Sequence, residues 1–119
     1  MSYEEKSEIA KRAYNFAVQV IKVTSKLPQN PASLILIRQV IRSATSIGAN
    51  IEEALGGHTR KDFIYGMNVS KKEARETRYW LRMLRDTNTT MGKEIIYLLQ
   101  ECEELINILT KIVKTSTKK

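Results

Sequence analysis

Both prolines of this chain, Pro28 and Pro31, fall in one short connector, which leaves four long segments that nothing obliges to stop being helical. In the first, Ile9, Ala13, Phe16, Val20, Val23 and Leu27 recur in steps of four and three, the seam of a helix packed in a bundle. Ser2 followed by Glu5 is a capping-box start for it. Asn30 and Pro31 read as N-cap and first residue of a second helix. Leu34, Ile37, Ile41, Ala44, Gly48, Ile51 and Leu55 form its seam, and Gly56-Gly57 ends it. Thr59 with Asp62 opens a third, whose inner face is Phe63, Met67, Ser70, Ala74, Thr77, Leu81 and Leu84. Residues 86–91 read as a loop. A fourth helix carries Ile95, Leu98, Cys102, Leu105, Leu109 and Ile112.

The expected helices cover about residues 3–27, 31–55, 60–86 and 92–114, with a basic tail at 115–119. At 1.5 Å per residue each is roughly 33–42 Å long, and short connections between such rods imply an all-α, up-down-up-down antiparallel four-helix bundle. A chain of 119 residues makes one such domain and buries a core without disulfides or metals. No apolar run reaches the ~20 residues of a membrane span, and Met1-Ser2-Tyr3-Glu4-Glu5-Lys6 has no apolar secretory core. With a lone cysteine, Cys102, set among leucines as a small buried hydrophobe, the expectation is a cytoplasmic protein.

The sequence offers little to a catalyst. Di-metal bundles take Glu-x-x-His motifs from two helices, whereas this chain has one histidine, His58, in a glycine turn. No metal, cofactor or enzymatic activity is expected. On the second helix Ser43, Ser46 and Asn50 lie beside the seam, as Glu73 does on the third. These four are expected to hydrogen-bond between helices and set their register. A small-ligand pocket lined by Ser46 and Asn50 is the competing reading. Gly48, about 1 kcal/mol worse than Ala inside a helix, suggests that a neighbouring helix passes close by.

Charge is the functional signal. Lys and Arg outnumber Asp and Glu by 20 to 13, a net +7, although part of that excess is the polar terminus with Lys114, Lys118 and Lys119. Lys71, Arg75, Arg78, Arg82 and Arg85 repeat every four or three residues, so they share one face of the third helix, where no carboxylate of that helix joins them. Arg60 falls on the same arc, and Arg38 and Arg42 form a smaller basic pair on the second helix. Stacked like charges cost a few tenths of a kcal/mol per pair, which an anionic partner would offset. The forked guanidinium suits phosphate oxygens, so RNA or DNA, with RNA preferred, is the expected partner. The alternative is a face paired with acidic groups, either of another subunit or of a protein that this chain serves as an adaptor. A second line, Tyr65, Val69, Glu76, Tyr79, Trp80 and Met83, projects away from the seam and reads as an oligomer interface. Against it stands the reading that Trp80 merely widens the core edge.

Arg42-Ser-Ala-Thr-Ser-Ile-Gly-Ala-Asn50 with Glu53-Ala54, Lys61-Asp-Phe63, Lys72-Glu-Ala74 and Glu76-Thr-Arg-Tyr-Trp-Leu81 resemble the bacterial four-helix proteins of the 23S ribosomal RNA intervening-sequence type. The resemblance covers about residues 8–113, with motifs in the same order and at similar gaps. Many members have Glu-Gly in place of Glu53-Ala54 and Gly-Ser in place of Val69-Ser70. The resemblance implies an up-down bundle assembled as a homopentamer. It also implies a non-enzymatic role on RNA, in some relatives as accessory to a retroelement reverse transcriptase.

Overall fold

The computed structural model describes residues 2–118 as four helices: α1 (Tyr3–Thr24), α2 (Pro31–Leu55), α3 (Arg60–Thr87) and α4 (Gly92–Thr117). Three begin on caps legible in the sequence. Ser2 Oγ accepts the Glu5 N–H at 3.1 Å while Glu5 Oε1 accepts the Ser2 N–H at 3.2 Å, and hydrogen bonding from Ser2, its backbone N–H foremost, holds the Glu5 carboxyl below its ordinary value. Asn30 Oδ1 accepts the Ser33 N–H and Thr59 Oγ1 accepts the Asp62 N–H. The start of α4 has no side-chain cap. There Met91 turns the chain at φ 60°, a left-handed conformation that costs a non-glycine residue on the order of 1 kcal/mol.

Three boundaries differ from expectation, that of α3 only by its running on to Thr87, into the expected loop. The first helix ends at Thr24 rather than Leu27. The Thr24 hydroxyl donates back to the Val20 carbonyl at 2.8 Å and the Gln29 amide donates to the Leu27 carbonyl at 2.6 Å, which stabilises a turn instead. Leu27 still reaches the core. Conversely α4 runs on to Thr117, because the polar terminus contains no breaker, so most of the expected tail is helical; Lys119 lies outside the described residues.

Each helix packs against its two neighbours in the ring α1–α2–α3–α4 and not against its diagonal partner. The pairing is antiparallel. Ala54 meets Gly66, Ile47 meets Ser70 and Ser43 meets Thr77, so α2 descends as α3 ascends. Arg12 meets Glu101 and Glu104, and Cys102 meets Ala74. Connections of four to six residues could not carry the chain back along a 48 Å molecule, which forces the alternation. The axis is filled largely by the predicted seams, including Phe16, Ile51, Met67, Leu81, Leu98 and Leu105. On α2, however, the buried face is turned: Val40, Ile47 and Ala54 are buried where the expected Leu34, Ile41, Gly48 and Leu55 are half-buried. Burial of each large side chain contributes roughly 1.5–3 kcal/mol.

The close approach lies elsewhere than Gly48. A Cβ on Gly48 would meet Ala13 at 3.7 Å, ordinary contact. At Gly66 it would lie 2.7 Å from the Ala54 Cβ and 3.3 Å from the Asn50 carbonyl, so α2 and α3 cross there only because Gly66 has no side chain.

Candidate nucleic-acid interface

The polar residues beside the seam divide by partner. Ser43 is buried and joins α3 through the Thr77 hydroxyl at 2.8 Å; Ser70 spans the same interface to the Ile47 carbonyl at 2.8 Å. Glu73 faces Arg42 across the interface at 3.8 Å, although its buried Oε1 has no hydrogen bond. Asn50, in contrast, donates to the Ser46 carbonyl of its own helix, and Ser46 makes no cross-helix bond. The expectation that Ser46 and Asn50 join helices is therefore corrected. The Asn50 amide folds along α2, while its backbone carbonyl lies beside Gly66 at the crossing with α3. Neither Ser46 nor Asn50 lines the surface cavities beside Lys6, Tyr14 or Ile112.

The cationic stripe is only partly unpaired, because α4 supplies one carboxylate and, against expectation, α3 itself supplies another. Arg78 Nη1 lies 2.5 Å from Glu103 Oε1, and Arg85 Nε lies 2.8 Å from Asp86 Oδ1, its neighbour in sequence. The Asp86 contact holds the Arg85 guanidinium more firmly protonated and lowers the Asp86 carboxyl. Lys71, Arg75 and Arg82 have no carboxylate within 4.0 Å among the described residues, and Arg75 and Arg82 are exposed. Arg38 is exposed and equally without a partner. Arg42 is not free: it pairs with Glu73 and Glu76 on the α2 side of α3, the flank opposite the stripe. Arg60 lies at the bundle end, lining a cavity with Lys6 and His58. The structure thus gathers Lys71, Arg75 and Arg82 on the α4 side, engages Arg42, Arg78 and Arg85 internally, and separates Arg38 and Arg60 from them.

The second line of α3 is also partly spoken for. Glu76 accepts the Trp80 indole N–H at 3.0 Å as well as the Arg42 guanidinium, and Trp80 is half-buried against the core edge. Tyr79 meets Trp80 edge to face, with centroids 5.0 Å apart. Tyr65 (71%), Tyr79 (50%) and Met83 (38%) remain exposed, while Val69 is half-buried. Exposed apolar side chains off the seams of the other helices, Tyr14, Ile21, Ile35, Ile96 and Tyr97, were missed in the sequence reading; their only signal was an apolar residue on a polar arc.

Burial pushes the Cys102 thiol up to about 12, and its S–H faces the Ala74 carbonyl. Among the described residues no three His, Cys, Asp or Glu side chains cluster as metal ligands, and no helix is long and apolar enough to cross a membrane.

A family model for the 23S rRNA-intervening sequence protein matches residues 5–111. The chain belongs to this family. Among solved structures, a protein of unknown function from the S23 ribosomal protein family of Bacteroides thetaiotaomicron VPI-5482 is 32% identical to this family member, with a TM-score of 0.83. That likeness covers 92% of the present chain and 97% of the other. No curated protein matches. Neither the family's description nor that of the solved relative is that of an enzyme.

Proposed function

We propose that this chain is a non-enzymatic, homo-oligomeric bundle that binds structured RNA through the outward cations of α3. One observation carries the reading: Lys71, Arg75 and Arg82 lie along one flank of α3 and none of the three has a described carboxylate within 4.0 Å, whereas Arg78 and Arg85 of the same stripe are paired. Arg12, Arg42 and Arg78 illustrate what this fold does with arginines that serve architecture. It brings a glutamate to each from the adjacent helix. Phosphates reaching the unpaired flank would release counterions, so affinity would be largely sequence-independent and would fall steeply with salt. The family's association with an insertion in 23S ribosomal RNA favours RNA over DNA. Self-association through exposed Tyr65, Tyr79 and Met83 would multiply weak contacts by avidity.

Fluorescence anisotropy against structured RNA, single-stranded DNA and duplex DNA at two salt concentrations tests this. Arg75→Glu plus Arg82→Glu should weaken RNA binding at least about tenfold and flatten its salt dependence. Unchanged affinity in that variant rejects the reading. Light scattering that reports a mass near the 13.7 kDa monomer at high concentration would remove its oligomeric part.

A further inference from the structure

At one end of the bundle a cavity of about 290 Å³ is lined by Lys6 of α1, His58 and Thr59 of the α2–α3 turn, Arg60 and Phe63 of α3, and Ser116 of α4. We infer that this cavity is a binding site for a phosphate monoester, the chemical group at the end of a nucleic-acid strand or on a free nucleotide.

Its lining is one-sided in charge. Two permanent cations and an imidazole come from three separate segments, and no Asp or Glu is among the lining residues. Neither Lys6 nor Arg60 has a carboxylate within 4.0 Å among the described residues. Folding brings Lys6 and Arg60, 54 positions apart in sequence, into the lining of one cavity. The Lys6 ammonium stands 6.0 Å from the centroid of the Phe63 ring, which keeps it at the cavity wall. The Gly56 and Gly57 N–H groups close onto the Glu52 and Ala54 carbonyls, so these α2 carbonyls have internal donors.

Charge and size together select the ligand class. A terminal phosphate is small and dianionic near neutral pH, which suits two fixed cations with hydroxyl donors beside them. The space is near the lower limit of small-ligand pockets, room for a nucleotide end and far too little for a duplex. Leu55 and Phe63 give the sugar an apolar wall.

The test compares adenosine 5′-monophosphate with adenosine by calorimetry, and a short 5′-phosphorylated RNA with its 5′-hydroxyl counterpart by anisotropy. Expected is a preference of about tenfold for the phosphorylated member, lost in Lys6→Ala plus Arg60→Ala. Arg60 is exposed and Lys6 half-buried, and an unchanged circular dichroism melt establishes that the variant is folded. A preference in both pairs identifies a strand end as ligand; a preference in the adenosine pair alone identifies a free nucleotide. Arg75→Glu plus Arg82→Glu should weaken both RNAs alike and leave adenosine 5′-monophosphate unaffected, so this site is read independently of the α3 flank. No preference in either pair, or one that survives Lys6→Ala plus Arg60→Ala, overturns the inference.

Discussion

Gly66 of α3 crosses Ala54 of α2 so tightly that a methyl group on Gly66 would stand 2.7 Å from the Ala54 Cβ and 3.1 Å from its Cα. The neighbouring atoms are a short side chain and backbone, which cannot swing aside. Gly66→Ala would gain about 0.5–1 kcal/mol of helix propensity but lose roughly 1–3 kcal/mol to overpacking. Net destabilisation is expected, read as a lower urea midpoint at unchanged slope. A raised midpoint would mean that the helices separate freely at this crossing.

The Ser43–Thr77 pair is a buried side-chain link between α2 and α3, beside the bond from Ser70 to the Ile47 carbonyl. Thr77→Val keeps the shape and removes the hydroxyl, and should cost about 1–2 kcal/mol. Ser43→Ala leaves Thr77 bonded to the Glu73 carbonyl at 2.8 Å, so it should cost less. In the double variant no donor is stranded, and the cycle should show a coupling of about 0.5–1.5 kcal/mol. Strict additivity in denaturant melts would show that the hydroxyls do not act as a pair.

Acid stability should report the Arg12–Glu101 contact, which closes α1 onto α4 with bonds of 2.8 and 2.9 Å. The Arg12 guanidinium holds the Glu101 carboxyl below its ordinary value, against partial burial. Because the folded-state value is the lower one, the pair stabilises the native state above the unfolded-state value near 4.5. That contribution is lost as pH falls through the folded value. Glu101→Gln should therefore lower stability at pH 7 by no more than about 1 kcal/mol, since the pair is partly exposed, and should narrow its gap to the parent protein in acid. A gap that widens below pH 4 would contradict this.

Cys102 is fully buried, with its thiol pushed up to about 12 by desolvation. Alkylation by iodoacetamide at pH 8 should be negligible for the folded chain and complete in denaturant, with a rate that follows global opening. Rapid labelling of native protein would show that α3 and α4 part locally.

The four helices were legible because a bundle writes itself into a chain locally: seam spacing, the caps at Ser2, Asn30 and Thr59, and a proline-bearing connector are all encoded within a few residues. The end of α1 was not, since Thr24 and Gln29 offer the backbone competing bonds that apolar spacing does not register. Gly48 and Gly66 show the same limit. Helix propensity marks both as unusual, but only the crossing of two helices distinguishes ordinary contact from the site where a methyl cannot fit.

The sequence by itself determined the fold class and the gathering of five cations on one face of α3, since helical periodicity depends only on spacing along the chain. Apart from Arg85, which Asp86 beside it in sequence engages, which cations remain without a partner was decided by tertiary structure. Glu103 reaches Arg78, Glu76 reaches Arg42, and Lys6 and Arg60 meet at the bundle end because separate helices were brought alongside one another. Electrostatic pairing acts through distance in space, and here Arg12, Arg42 and Arg78 each find their carboxylate on a neighbouring helix.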